Sequence, residues 1–157
     1  RLFRCLLLLA ASNLHAEPPP PSPVDALLAA TKLGGETGAA AKDVIKVLFP
    51  HMLLEEEFGI PPLSVLPRLA RGEITPDMAR VIPKSEMLKI QLDRMLDEHK
   101  LIVDALQKLL QAAAREQHRG YAQLAQKLIL HAQLEEEVLY PASIVVGEYL
   151  KLKLGKA

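Results

Sequence analysis

The chain has 157 residues, half of them apolar, which suits one domain with a real core rather than two. Aromatic residues make up only 4% while Leu and Ala are abundant, favouring packed helices over a β-sandwich. The 19 Lys and Arg balance 19 Asp and Glu, so no long-range field points toward nucleic acid or an anionic membrane, and neither partner is expected.

The opening residues, RLFRCLLLLAASNLHAE, place two arginines before an apolar run, then small residues and a polar break. This is the layout of a secretory signal peptide and predicts residues 1–16 as an export segment, cleaved after Ala16 or, alternatively, near Ala11. The apolar run is far shorter than the roughly 20 residues a membrane span needs. The mature chain is therefore expected in the periplasm or secreted, free of the membrane once the signal is removed. Cys5 leaves with this segment, so the mature chain would have neither a disulfide nor a thiolate metal site. Residues 17–36 read as a linker: EPPPPSP is an extended, polyproline-like tether, and Val24 to Leu33 a short helix ended by Gly34 and Gly35.

The main domain is expected over 37–154. Its first long helix runs from about Thr37 to just before Gly59, with Pro50 inside it predicting a kink ahead of His51. Residues 61–83 read as connective structure with two short helices, Pro62 to Arg71 and Pro76 to Ile82. A second long helix follows from Ser85 to about Glu116, then a turn at Gly120, then a last long helix from Tyr121 to about Leu152, bent at Pro141. Nothing alternates with the strand period over a useful length. Short connections between long helices imply antiparallel neighbours, so the fold class is all-α, an antiparallel helical bundle.

The core-facing seams of these helices carry polar residues. The last helix reads Leu124, Leu128, His131, Glu135, Val138, Ala142, and the first reads Val44, Leu48, His51, Glu55, Phe58. Positions i and i+4 lie one above the other on a helix, so His131 and Glu135 share a face, as do His51 and Glu55. The stretches LFPHMLLEEEF and LILHAQLEEEVLYP repeat this arrangement. The middle helix reads Leu92, Leu96, His99, Val103, Leu106. An unpaired buried carboxylate or imidazole costs several kcal/mol, so three such helices facing one another need something that satisfies these groups together. A shared metal ion is the simplest candidate, held by His51, Glu55, His99, His131 and Glu135. Nitrogen and oxygen donors without thiolate suit iron or manganese, and zinc also fits. Glu56, Glu57, Glu136 and Glu137 swing off the seam, and with Asp97 and Glu98 are expected on a solvated face or as outer partners of the ligands. Tyr140 is read as packing or an outer hydrogen bond, and His118, in the turn EQHRG, as solvated. No HExxH, Glu-x-x-His, Gly-rich phosphate loop or Gly-x-Ser-x-Gly occurs, which removes the zinc-protease helix, the ferritin-type di-iron arrangement and the usual nucleophilic hydrolases.

The residues HMLLEEE, DEHK and HAQLEEEVLYPA resemble the hemerythrin-like, or HHE cation-binding, family of helical bundles, over roughly Ala41 to Leu154. The resemblance implies an up-down bundle with a non-heme, usually di-iron, centre that binds or senses dioxygen or a related small ligand. His131 with Glu135 resembles the family's second-helix pair, His99 in DEHK its first-helix histidine, and His51 with Glu55 another HxxxE pair. Val103 stands four beyond His99 where the best-known members carry a second histidine, and an HxxxE helix comes first, so the helix order is permuted. Two other readings stay open: a metal-free structural or interaction bundle with the His/Glu pairs bonded to each other, and a non-heme iron redox enzyme that oxidises iron or removes peroxide.

Overall fold

A computed structural model describes residues 22–155. The predicted export segment and most of the proline tether lie outside the described residues. Among those described there is no strand; the chain is an all-α helical bundle, and no helix is long and apolar enough to cross a membrane. In order, the elements are α1 (Pro23–Ala30), α2 (Gly35–Leu54), a π-helical turn (Glu55–Gly59), a 3₁₀ turn (Pro61–Val65), α3 (Leu66–Leu69), a second 3₁₀ turn (Pro76–Val81), α4 (Ile82–Arg115), α5 (Arg119–Leu134), a second π turn (Glu135–Leu139) and α6 (Tyr140–Leu154).

Contacts gather the chain into two compact units. The first comprises the described residues up to 48 together with 101–129. Its core is Leu27, Ala30, Ala41, Val44, Ile102, Leu106, Leu109, Ala125 and Leu128, the apolar faces of its helices. Within it α2 begins at Gly35, whose φ of +74° is a conformation glycine adopts at little cost. The Glu116 carboxylate accepts the N–H groups of Glu36 and Thr37 at 2.7 and 2.9 Å, capping two donors that the first helical turn leaves unpaired. The turn before α5 is made by Gln117, at φ +62°, and not by Gly120, which lies inside α5.

The second unit comprises 49–100 and 130–155. One apolar cluster is Val65, Met78, Val81, Ile82, Val146 and Leu150; another is Phe58, Leu88, Met95 and Tyr140. The start of α4 packs against α6, with Ser85 Oγ donating to the Ile144 carbonyl at 3.3 Å and Lys89 Nζ 2.8 Å from Glu148 Oε1. Gly147 packs directly on Ser85, where a Cβ would overlap the serine side chain.

The two His/Glu stretches share an irregularity that periodicity does not predict. Each passes into a π turn beginning on its glutamate, closed by the N–H of Ile60 to the Glu55 carbonyl at 2.9 Å and by that of Tyr140 to the Glu135 carbonyl. A proline follows at once in both, Pro61 and Pro141. Proline has no N–H to give the carbonyl four residues back, and its ring crowds that carbonyl, so the turn ahead of it widens. α2 itself continues through Pro50, and its departure from α geometry comes a turn later than the sequence expectation.

The extra residue of the second π turn corrects the expected seam. Val138 is 49% exposed, and Tyr140 and Ser143, both fully buried, take the inward positions assigned to Val138 and Ala142. Ser143 Oγ donates to the Gly59 carbonyl at 2.7 Å, tying α6 to the end of the first π turn.

Candidate metal centre

All five predicted ligands lie in the second unit. His51, Glu55, His99 and Glu135 are buried, while the His131 side chain keeps 16% of its exposure. His51, Glu55 and His99 offer donor atoms within 4.8 Å of one another, a group that can hold a metal ion. The imidazoles of His51 and His99 sit with ring centroids 4.5 Å apart. Glu135 joins them through Oε2, 3.5 Å from His99 Nε2, and His131 is outermost, its Nε2 2.8 Å from Glu135 Oε1. His118 lies in the other unit, between α4 and α5.

Outer carboxylates set the orientation of two rings. His51 Nδ1 lies 2.9 Å from Glu98 Oε2, and His99 Nδ1 lies 3.0 Å from Glu136 Oε1. A carboxylate only accepts, so each Nδ1 carries the proton and donates it, leaving the Nε2 of a neutral ring as a bare lone pair. Burial raises the Glu98 carboxyl, but the hydrogen bonds from His51 and Arg94 outweigh it and hold the group below its ordinary range. Burial, and then the neighbouring charge of His51, push His99 down and favour its neutral form; burial likewise lowers His131, against the pull of Glu55. Metal-ligating histidines commonly carry such a carboxylate partner on the far nitrogen.

Both Nε2 atoms face Tyr140. Its hydroxyl oxygen lies 3.2 Å from His51 Nε2 and 3.2 Å from His99 Nε2, and donates to Glu55 Oε1 at 2.7 Å. With both rings neutral and Glu55 ionised the cluster has more acceptors than protons: one phenolic hydrogen faces two lone-pair nitrogens and a carboxylate. Among the described residues no donor of ordinary alignment reaches the buried Glu135 Oε1, although His131 Nε2 comes within 2.8 Å of it, and the carboxyls of Glu55 and Glu135 themselves meet in hydrogen-bonding contact, so that a proton held by one is shared with the other.

Two chemical species can correct this surplus. Protons are one: burial, reinforced by the charge of Glu135, pushes Glu55 up to about 8, and burial pushes Glu135 up to about 7. A cation is the other, since a divalent ion accepts several lone pairs at once and neutralises carboxylates in a dry interior. The donor set of imidazole nitrogens and carboxylate oxygens fits such an ion, which the converging Nε2 atoms and the two adjoining carboxyls would share.

Sequence reasoning identified the ligand candidates but undervalued Tyr140, and left open which outer carboxylates matter. Of the six acidic residues flanking the candidate ligands, Glu98 and Glu136 bond to the rings. No protein-family model matches the chain, and no curated protein or solved structure matches it.

Proposed function

We propose that this chain is a non-heme iron protein of hemerythrin-like character, acting after export, that holds two irons and binds or senses dioxygen or a related small ligand. The observation that carries the reading is the buried convergence of donor atoms, those of His51, Glu55 and His99 lying within 4.8 Å of one another with the Glu135 carboxyl beside them. His51, His99 and Glu55 would hold one ion; Glu135 and His131 would hold the other, with either glutamate placed to bridge. Bound iron supplies the redox capacity that lets such a site take up dioxygen. The protein's part is to orient His51 and His99 through Glu98 and Glu136, and to limit water with Phe58, Met95, Leu54, Leu92 and Ile144 around the cluster.

Purification of the mature chain in air, followed by elemental analysis and a visible spectrum, tests this. Iron at about two per chain with an oxo-bridged ferric spectrum is expected for a di-iron bundle; zinc or manganese in its place would keep the site and change its chemistry. Turnover assays with ferrous iron and peroxide separate a ligand-binding protein from a redox enzyme. A second reading rests on the raised carboxyls: with Glu55 and Glu135 protonated, the cluster supplies its own donors and the chain is a metal-free structural or interaction bundle. A colourless protein whose melting temperature ignores added iron would favour it.

A further inference from the structure

We infer that Tyr140 supplies an oxygen ligand to the metal held by His51, His99 and Glu55. The inference rests on the metal-binding reading and adds a donor to it. Two donor atoms each about 2.1 Å from an ion and at right angles to one another lie about 3.0 Å apart. The Tyr140 oxygen is 3.2 Å from both Nε2 atoms and 2.7 Å from Glu55 Oε1, and His51 Nε2 lies 3.7 Å from Glu55 Oε1, separations close enough for these atoms to share one ion.

The backbone places it there by the same irregularity that hides it from the sequence. The π turn at Glu135–Leu139 breaks the α-helical count, and Tyr140 stands inward where that count places Val138. The ring is fully buried and stacks on His99, with centroids 5.4 Å apart and planes 22° from parallel, so its hydroxyl is held against the lone pairs. The corresponding position of the first repeat, one residue before Pro61, is Ile60, which carries no donor. The two halves of the repeat are thus chemically unequal, and the oxygen donor belongs to one metal position only. On coordination the phenol O–H bond breaks, an oxygen–metal bond forms, and the proton is released to water, as metal binding to protonated ligands requires.

The test loads the full chain with ferrous iron, oxidises it in air, and reads the visible absorption and resonance Raman spectra alongside iron content. A ferric phenolate gives an intense visible charge-transfer band with resonance-enhanced tyrosinate ring vibrations. The wild type is expected to show both, and Tyr140→Phe to lose both while retaining most of its iron on the histidines and glutamates. The chain has 3 tyrosines, so the double variant Tyr121→Phe/Tyr149→Phe leaves Tyr140 alone. That variant should keep the wild-type band, which decides the matter even where Tyr140→Phe fails to fold. Iron bound by the wild type without tyrosinate vibrations would overturn the ligand role of Tyr140 and leave the metal site standing. Failure of the wild type to bind iron would overturn both.

Discussion

Replacing Glu55 with Gln should make the metal-free protein more stable and the metal-binding protein useless. Glu55 has an ordinary carboxyl value of 4.5, and its surroundings raise this to about 8, burial being the largest cause and the Glu135 charge the next. The folded chain therefore holds this proton more tightly than the unfolded chain. Below about pH 4.5 both states are protonated and the group costs nothing. As pH climbs from there toward about 8, the unfolded chain gives up its proton first, and stability is lost through that window. At pH 7 the separation between the lower value and the pH corresponds to about 3 kcal/mol, and at pH 5 to under about 1 kcal/mol. Gln keeps an oxygen to accept from Tyr140, cannot ionise, and brings N–H donors into a cluster short of them. In chelator-treated protein the variant should melt higher than wild type by roughly 6–12 °C near neutral pH, with the gap closing at pH 5. Thermal unfolding followed by far-UV circular dichroism across that range measures it. A variant that melts lower than wild type at pH 7, or a gap that does not change with pH, would refute the reasoning that Glu55 is an ionisable group held in a dry, acceptor-rich site.

His131→Ala should cost the protein its retained metal while His118→Ala leaves metal content unchanged, since His131 Nε2 abuts Glu135 and His118 lies in the other unit; equal losses would show the site is misplaced. Glu98→Gln removes the carboxylate that fixes the His51 ring, and should weaken metal binding about 10–100-fold without unfolding the chain, read by competition with a chelator. Gly147→Ala drives a methyl group into Ser85 and should destabilise the second unit by about 3 kcal/mol, with Ser85→Gly restoring part of the loss; an unchanged urea midpoint would mean the α4–α6 contact is looser than described. Because metal and protons compete for Glu55 and Glu135, iron affinity should rise with pH up to about 8 and level off above it, in titrations at fixed ionic strength.

The bundle and the polar cluster were legible because both follow from helical periodicity alone. A histidine and a glutamate four residues apart must share a face, and apolar spacing around them said that face was inward; His51, Glu55 and Glu135 are all buried as that logic requires. Periodicity failed where the backbone stopped being an α-helix. Counting on from Glu135 at 3.6 residues per turn selects Val138 and Ala142, whereas the π turn selects Tyr140 and Ser143. A local signal existed: Pro61 and Pro141 occupy equivalent places after the two acidic triplets, and a proline that close after a His/Glu pair interrupts the α-helical hydrogen bonding of its turn. The roles of Glu98 and Glu136 were beyond reach for another reason. Each bonds to a ring on a different helix, His51 and His99, so the pairing depends on how helices pack and not on any spacing within one of them. Gln117 shows the same limit in reverse, since the neighbouring glycine was the better guess for a left-handed residue and the turn used the glutamine.

Anaerobic titration of ferrous iron into the chelator-treated full chain, followed by calorimetry in buffers of different ionisation enthalpy, tests most directly whether a cation completes this cluster. Binding at about two ions per chain, with protons released as Glu55 and Glu135 exchange hydrogen for metal, is the outcome expected under the proposed function. Heats no larger than dilution, with no proton release and no change in melting temperature, would mean that protons alone satisfy the buried acids and that the cluster is not a metal centre.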